Sequence, residues 1–191
     1  GMPQCVSTYI ATHDIGQILA IQNDILALYR FDIARYADRD KEKIREIFDA
    51  IPSQLEAKNR RFVLSDIAKS ARLLRYENSF VWLSDAGVSL PCFNVAQPTP
   101  PLGLSEKRNL FKLFLCDTGL LAAASMQNIQ FDILQGNVEV NLGSVLENLF
   151  AQQLLANGFA LRYYNSKRLG EVDFVIQNGR DRSEEHTSEL Q

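Results

Sequence analysis

The most constraining feature of this chain is a predicted strand near its C-terminal end that lacks a returning partner. Apolar and polar residues alternate over Glu171–Gln177, as is typical of a half-buried strand. Val172, Phe174 and Ile176 point to one face, and Glu171, Asp173 and Val175 point to the other. Asn178-Gly179 is a strong hairpin-turn signal, but no alternating apolar run follows it. We therefore expect Glu171–Gln177 to lie at an unpaired sheet edge, which favours aggregation and makes the last third marginally stable.

The last ten residues, Arg182–Gln191, look like the in-frame translation of a common sequencing-adapter oligonucleotide. We expect this tail to be non-native and the native sequence to stop near Asp181. The formal net charge is −3, and the tail contributes one Arg and three Glu to it. Without the tail the chain is nearly neutral, so its overall charge says nothing about partners.

Composition excludes several classes of protein. With 191 residues, 46% of them hydrophobic, the chain can form one large or two small domains with a substantial core. Cys5, Cys92 and Cys116 are far apart and form no C-x-x-C pair, which predicts neither a disulfide framework nor a zinc site. No segment has the length and apolarity of a membrane span or a signal peptide. We therefore expect a cytoplasmic protein with reduced thiols and no membrane contact.

The N-terminal part is predicted to be helical. His13-Asp14 precedes a long amphipathic pattern, so Asp14 is expected to cap a helix. Residues 1–36 are interpreted as a helical linker. A second helix carries Ile44, Ile47, Phe48 and Ile51 on one face, and Pro52 is expected to end that face.

Residues 37–116 have the element order of a winged helix-turn-helix: helix, short helix, helix and β-hairpin. The short helix is expected over 66–70 and the longer one over Ala71–Asp85, with Gly87 as its left-handed end. The hairpin strands are expected over Val88–Val95 and Phe111–Cys116. Most of the apolar residues of the longer helix are predicted to face inward, and these residues are Leu73, Leu74, Tyr76, Phe80, Val81 and Leu83.

Residues 117–181 are interpreted as a truncated α/β domain, which makes the whole chain α+β. Helices are predicted over Thr118–Ser125 and over Gly143–Asn157, the latter ended by Gly158. Strands are predicted over Phe159–Asn165 and Glu171–Gln177, joined by a polar turn.

The best candidate for chemistry is the pair Glu147 and Asp173. A carboxylate in the middle of an apolar strand is costly to bury unless it is paired or binds a metal ion. A helix Glu and a strand Asp could together hold Mg²⁺, which could activate water for phosphodiester chemistry. The alternative is that Asp173 caps a turn or pairs with Lys167 or Arg168, while Glu147 lies on a solvated helix face.

A second candidate is a cationic cluster around the predicted helix-turn-helix. Such side chains can contact nucleic-acid phosphates, and the cluster consists of Lys58, Arg60, Arg61, Lys69, Arg72 and Arg75. The alternative is a solvated surface in which Glu56, Asp66 and Glu77 are interleaved with these cations, or a winged helix that serves only as a protein–protein wedge. The chain has no phosphate-binding Walker loop and no Ser/His/Asp or Cys/His site, so catalysis by this chain alone is not expected.

Three stretches resemble one known family. Residues 1–3 with the following helix resemble the segment after the nucleotide-binding domain of a group of prokaryotic AAA-type ATPases. Residues 72–87 resemble the helix-turn-helix of these proteins. The segments KLFLCDTGLL at 112–121, LGSVLENLFAQQLL at 142–155 and YYNSKRLGEVDFVI at 163–176 resemble their C-terminal domain, the domain of unknown function four-one-four-three.

This resemblance implies a restriction-endonuclease-like fold for 117–181 and an ATPase module, using ATP and Mg²⁺, before Gly1. In such folds a helix Glu and a strand Asp, matched here by Glu147 and Asp173, join a Glu-x-Lys strand to bind metal. That strand is expected where the adapter-like tail begins, so the site is predicted to be incomplete. We therefore expect an accessory region without its own cofactor, which couples ATPase motion to a nucleic-acid or protein target. The alternatives are a metal-dependent nuclease domain inactivated by truncation and a module for protein interaction only.

Overall fold

A computed structural model describes residues 2–37, 40–57, 60–67, 73–125 and 142–177, and its fold is α+β, as predicted. The helices are α1 (Pro3–Thr12), α2 (Ile15–Tyr36), α3 (Lys41–Glu56), α4 (Leu73–Asp85), α5 (Thr118–Ser125) and α6 (Gly143–Ala156). The strands are β1 (Ser89–Val95), β2 (Glu106–Leu115), β3 (Arg162–Ser166) and β4 (Gly170–Val172). The predicted turn Asn178-Gly179, the tail Arg182–Gln191 and most of the predicted short helix over 66–70 lie outside the described residues.

The predicted start of α2 is confirmed. The Asp14 carboxylate accepts hydrogen bonds from the backbone N–H groups of Gly16 and Gln17 at 2.8 and 3.3 Å. These are two of the donors that a helix N-terminus leaves without an intrahelical partner. His13 ends α1 with a φ of 52°, so the chain turns sharply between the two helices.

The prediction that Pro52 ends the second helical face was wrong. Pro52 lies inside α3, which continues to Glu56. A proline in a helix removes one backbone hydrogen bond. Ile51 and Leu55, on either side of it, are fully buried in the core. Burial of this continuous apolar face offsets the missing bond and keeps the last turn helical.

The inward face of α4 was predicted only in part. Tyr76 and Leu83 are buried and Leu73 and Phe80 are half-buried, so most of the set faces inward. Leu74 and Val81 are the two exceptions, because both are exposed. The buried Ser79 takes a place on the inward face that the apolar pattern did not suggest. Gly87 ends the helix region with a φ of 69°, as predicted.

The four strands form one mixed sheet in the order β2-β1-β3-β4. β1 pairs antiparallel with β2 and parallel with β3, and β3 pairs antiparallel with β4. The sheet therefore joins strands from both sides of the boundary expected after residue 116. The core lies between this sheet and helices α3, α4 and α5, and α2 packs against α3 and α5.

The C-terminal strands are shorter than the alternating pattern predicted. β3 begins at Arg162 rather than Phe159, and β4 covers only Gly170–Val172. Beyond β4, the Val175 N–H donates to the Arg162 carbonyl at 2.8 Å. That pairing is one residue out of the register that joins Tyr164 to Val172, so the chain has one extra residue at a local bulge.

The helix α6 buries a polar face and exposes apolar side chains. Its buried residues are Ser144, Glu147, Asn148 and Ala151, while Leu146, Leu149 and Phe150 are exposed. Asn148 explains part of this unusual burial of polar side chains. Its side-chain amide forms two hydrogen bonds with the backbone of Leu115, as a neighbouring strand would. The Asn148 Oδ1 accepts from the Leu115 N–H at 2.9 Å, and its Nδ2 donates to the Leu115 carbonyl at 3.0 Å.

Candidate functional site: the Lys112 cluster

A fully buried lysine lies at the centre of the candidate site. Lys112 is in the second half of β2, opposite Cys92 of β1, and its side chain has no solvent exposure. Its ammonium group lies 5.3 Å from the centre of the Tyr163 ring on β3. A buried ammonium is costly unless it is paired with negative charge.

Three carboxylates supply that negative charge. The Lys112 Nζ lies 3.2 Å from Glu147 Oε2 on α6, 2.7 Å from Glu171 Oε1 on β4 and 3.1 Å from Asp173 Oδ1 just after β4. Arg60 forms a further ion pair with Glu147. We call these five residues the Lys112 cluster. It joins three separated parts of the chain through one cation.

Solvent access differs among the three acids. The side chain of Glu147 is 8% exposed, that of Glu171 is 27% exposed and that of Asp173 is 54% exposed. Water therefore screens the Asp173 pair most and the Glu147 pair least. The cluster is closed on the side of α6 and open on the side of Asp173.

The structure brings together the two carboxylates that the sequence singled out. Glu147 and Asp173 bind the same ammonium, and the prediction that Glu171 and Asp173 share a face agrees with this geometry. The alternative of a solvated Glu147 was wrong, because this residue is buried against the sheet. Asp173 pairs with Lys112, which the alternative did not name. A catalytic or metal-binding role for the two acids stays a prediction.

Lys112 and Glu171 were missed as site residues, although the sequence contained a signal for Lys112. The residue interrupts the apolar run Phe111–Leu115, as Asp173 interrupts the last predicted strand. Two opposite charges in apolar strands are candidates for one buried ion pair. Among the described residues, no group of three or more His, Cys, Asp or Glu side chains has an arrangement that could hold a metal ion.

Burial also suppresses the ionisation of the groups beside Lys112. It raises the pKa of the Cys92 thiol to about 12, although the nearby Lys112 opposes this shift. Burial likewise raises the pKa of Tyr163 to about 12, against the opposing effect of Arg61. Both groups are therefore neutral at physiological pH, and neither is an activated nucleophile or base.

The predicted cationic cluster is only partly described. Arg60 is directed to Glu147, Arg61 is half-buried and Arg75 is exposed on α4. Lys58, Lys69 and Arg72 lie outside the described residues. Contact between these cations and nucleic acid stays a prediction.

Residues 1–130 match a family described as Domain of unknown function (DUF8612). The chain belongs to this family. No curated protein and no solved structure matches the chain. The DUF8612 region includes α1 to α5, β1, β2 and Lys112, whereas the three carboxylates that bind Lys112 lie beyond it. No helix within the described residues has the length and apolarity to cross a membrane.

Proposed function

We propose that this chain is an accessory region of an AAA-type ATP-binding protein, which couples ATPase motion to a target and does not itself catalyse a reaction. The observation that carries the non-catalytic part is the position of the Lys112 ammonium among Glu147, Glu171 and Asp173. Lysine supplies there the positive charge that a divalent cation would supply in a metal-dependent nuclease.

The distances and burial support this interpretation. Mg²⁺ needs direct oxygen ligands at about 2.0–2.1 Å and usually keeps several waters. The space between the three carboxylates holds an ammonium at 2.7–3.2 Å, on a side chain without solvent exposure. A metal ion in this place would have to displace a buried cation and leave it unpaired, which costs several kcal/mol.

The coupling part of the proposal rests on the resemblance to AAA-type ATPases. In the intact protein, ATP and Mg²⁺ would bind the ATPase module, and that module and a target would be the partners of this chain. The proposed place of action is the cytoplasm, where the three free thiols Cys5, Cys92 and Cys116 would stay reduced.

A metal-dependent nuclease is the second candidate. It is favoured by the convergence of Glu147 and Asp173 and by the half-exposed carboxylate of Asp173, which substrate could reach. In this alternative Glu171 would be the third acidic group of the site, and a bound cation would be needed on the open side of the cluster.

Plasmid nicking in the presence of Mg²⁺ or Mn²⁺ separates the two candidates. The accessory proposal predicts no nicking by the 191-residue chain and no Mg²⁺ binding in calorimetry. Nicking that disappears in Asp173→Asn, but persists in the surface control Asp24→Asn, would overturn it. The genomic reading frame tests the coupling part, since the absence of an upstream Walker-type loop would refute an ATPase parent.

Binding of duplex DNA tests one class of target. A nucleic-acid target predicts binding that weakens steeply with salt and further weakens in Arg75→Ala, without a need for metal. Salt-independent or absent binding would leave a protein as the target.

A further inference from the structure

An apolar groove lies between α4 and the sheet, on the face of β2 opposite to the Lys112 side chain. Its volume is about 510 Å³, which is within the range of ligand-binding pockets in proteins. Leu74, Phe80 and Val81 line it on α4, and Pro91, Phe93 and Phe111 line it on the sheet. The proposed coupling role assigns no partner to this surface.

The α4 side of the groove exposes apolar side chains in helical spacing. Leu74 is 84% exposed and Val81 is 50% exposed. They are seven residues apart, so they lie about 10 Å apart on one face of the helix. This spacing matches the i and i+7 anchors with which one amphipathic helix packs along another.

The floor of the groove is fixed by aromatic packing. The rings of Phe80 and Phe111 meet edge to face with their centroids 4.9 Å apart, and the centroids of the Phe93 and Phe111 rings are 6.1 Å apart. Phe62 stacks on Phe111 from within the core at 5.9 Å. A floor held in this way loses little conformational entropy when a partner covers it.

Charge divides the two rims of the groove. Glu77 and Asp85 line the α4 rim, both exposed, and within the described residues neither forms an ion pair. Arg108 lines the opposite rim on β2 and is also exposed. Glu77 and Asp85 are eight residues apart, which is about 12 Å or roughly two turns along α4. A partner with two cationic side chains at a similar spacing would complement them.

We infer that this groove binds an amphipathic helix of a partner protein, with apolar anchors at i, i+3 or i+4, and i+7 and with Lys or Arg on the flank that faces α4. The inference rests on the proposed function, because it names the kind of target that the accessory region binds. Duplex DNA is disfavoured here, since Glu77 and Asp85 would repel phosphates and Leu74 and Val81 offer them no hydrogen bonds.

Fluorescence anisotropy with synthetic peptides tests the apolar part of the inference. The probe is a labelled helical peptide with Leu at i, i+3, i+4 and i+7 and Lys on one flank, compared with a scrambled peptide of the same composition. The full chain binds the probe and not the scrambled peptide. Leu74→Asp with Val81→Asp weakens binding by about tenfold or more, because two apolar anchors are lost. The matched control is Leu104→Asp, at a residue that is 87% exposed and does not line the groove.

Charge reversal tests the orientation. Glu77→Lys with Asp85→Lys shifts the preference from the Lys-flanked probe to an otherwise identical Glu-flanked probe, and added salt reduces the difference. Circular dichroism and thermal melts of each variant verify that it folds. Binding that is unchanged by both double variants, or equal for the probe and the scrambled peptide, overturns the inference.

Three further outcomes bear on this inference and on the proposed function. Duplex DNA that competes with the probe for Leu74 and Val81 would replace the helix with nucleic acid and overturn the inference. Asp173-dependent nicking would refute the accessory proposal but would leave peptide binding to the groove as measured. Failure of peptide binding without nicking would refute the groove alone.

Discussion

Replacing Lys112 with Met is expected to be among the most destabilising single changes in this chain. Met has a similar length and no charge, so the variant keeps the packing over Tyr163 but leaves three carboxylates facing one another. Removing one partner of a buried ion pair typically costs about 3–5 kcal/mol. The Glu147 carboxylate, with an 8% exposed side chain, accounts for most of this cost. Asp173, at 54% exposure, can rotate into water and should add less than about 1 kcal/mol.

Urea unfolding at neutral pH measures the effect. Lys112→Met should lower the free energy of unfolding by about 3–5 kcal/mol, a large fraction of the stability of an ordinary domain. Lys107→Met is the matched control, because Lys107 is an exposed lysine on the same strand. It should change the free energy of unfolding by no more than about 0.5 kcal/mol.

A double variant identifies the cause. If the cost comes from a buried carboxylate that has lost Lys112 and keeps only the partly exposed Arg60, Lys112→Met with Glu147→Gln should be at least about 1 kcal/mol more stable than Lys112→Met alone. Arg60, which also pairs with Glu147, has a 28% exposed side chain and can turn toward water in the double variant. A loss below about 1 kcal/mol for Lys112→Met, or fully additive losses in the double variant, would refute the electrostatic account.

Three other predictions follow from single side chains. Asn148→Ala should cost about 3 kcal/mol in urea unfolding, because it leaves the buried N–H and carbonyl of Leu115 without partners; a loss below about 1 kcal/mol contradicts this. Hydrogen bonds from the Gln17 side chain and backbone hold the pKa of Asp14 below its usual range. The stability that Asp14 supplies is thus present above its unfolded pKa and is lost as pH falls, and Asp14→Ala should fray α2 in hydrogen exchange and remove this acid dependence. Burial raises the pKa of Tyr163 to about 12, so stability should fall as pH rises from about 10, where an unfolded tyrosine ionises; an identical slope in Tyr163→Phe contradicts this.

Local signals in the sequence identified the helix ends that are set by capping side chains or by glycines with a positive φ. Asp14 marks the start of α2 because its carboxylate binds the first free amides, an interaction between residues close in sequence. Gly87 and Gly158 mark helix ends because both adopt a positive φ. α5 was predicted with its observed ends, since Thr118–Ser125 is a short run of mostly apolar, helix-favouring residues after a strand. These features need no knowledge of tertiary contacts.

Apolar periodicity was a poor guide where a tertiary partner is polar. α6 is rich in leucine, yet its buried residues include the polar side chains of Glu147 and Asn148. Their partners are Lys112 and the backbone of Leu115, both more than thirty residues away. The sequence marks each as a local exception, but only the sheet places them together. The same holds for α4, where an apolar side chain such as Leu74 lies at a groove rather than in the core.

The Lys112 cluster also shows that the matched family region does not contain the carboxylates that neutralise its buried lysine. Lys112 lies inside residues 1–130, but Glu147, Glu171 and Asp173 all lie outside that range. Within the same sheet, β1 also pairs along one edge with β3, from beyond the match. If residues 142–177 moved away, a buried ammonium and a strand edge would lose their partners together, at a cost of several kcal/mol. The two parts of the chain are therefore expected to move as one body if a target binds α4 as proposed. A signal from the groove to a neighbouring domain would then pass through rigid rotation rather than through opening of the sheet.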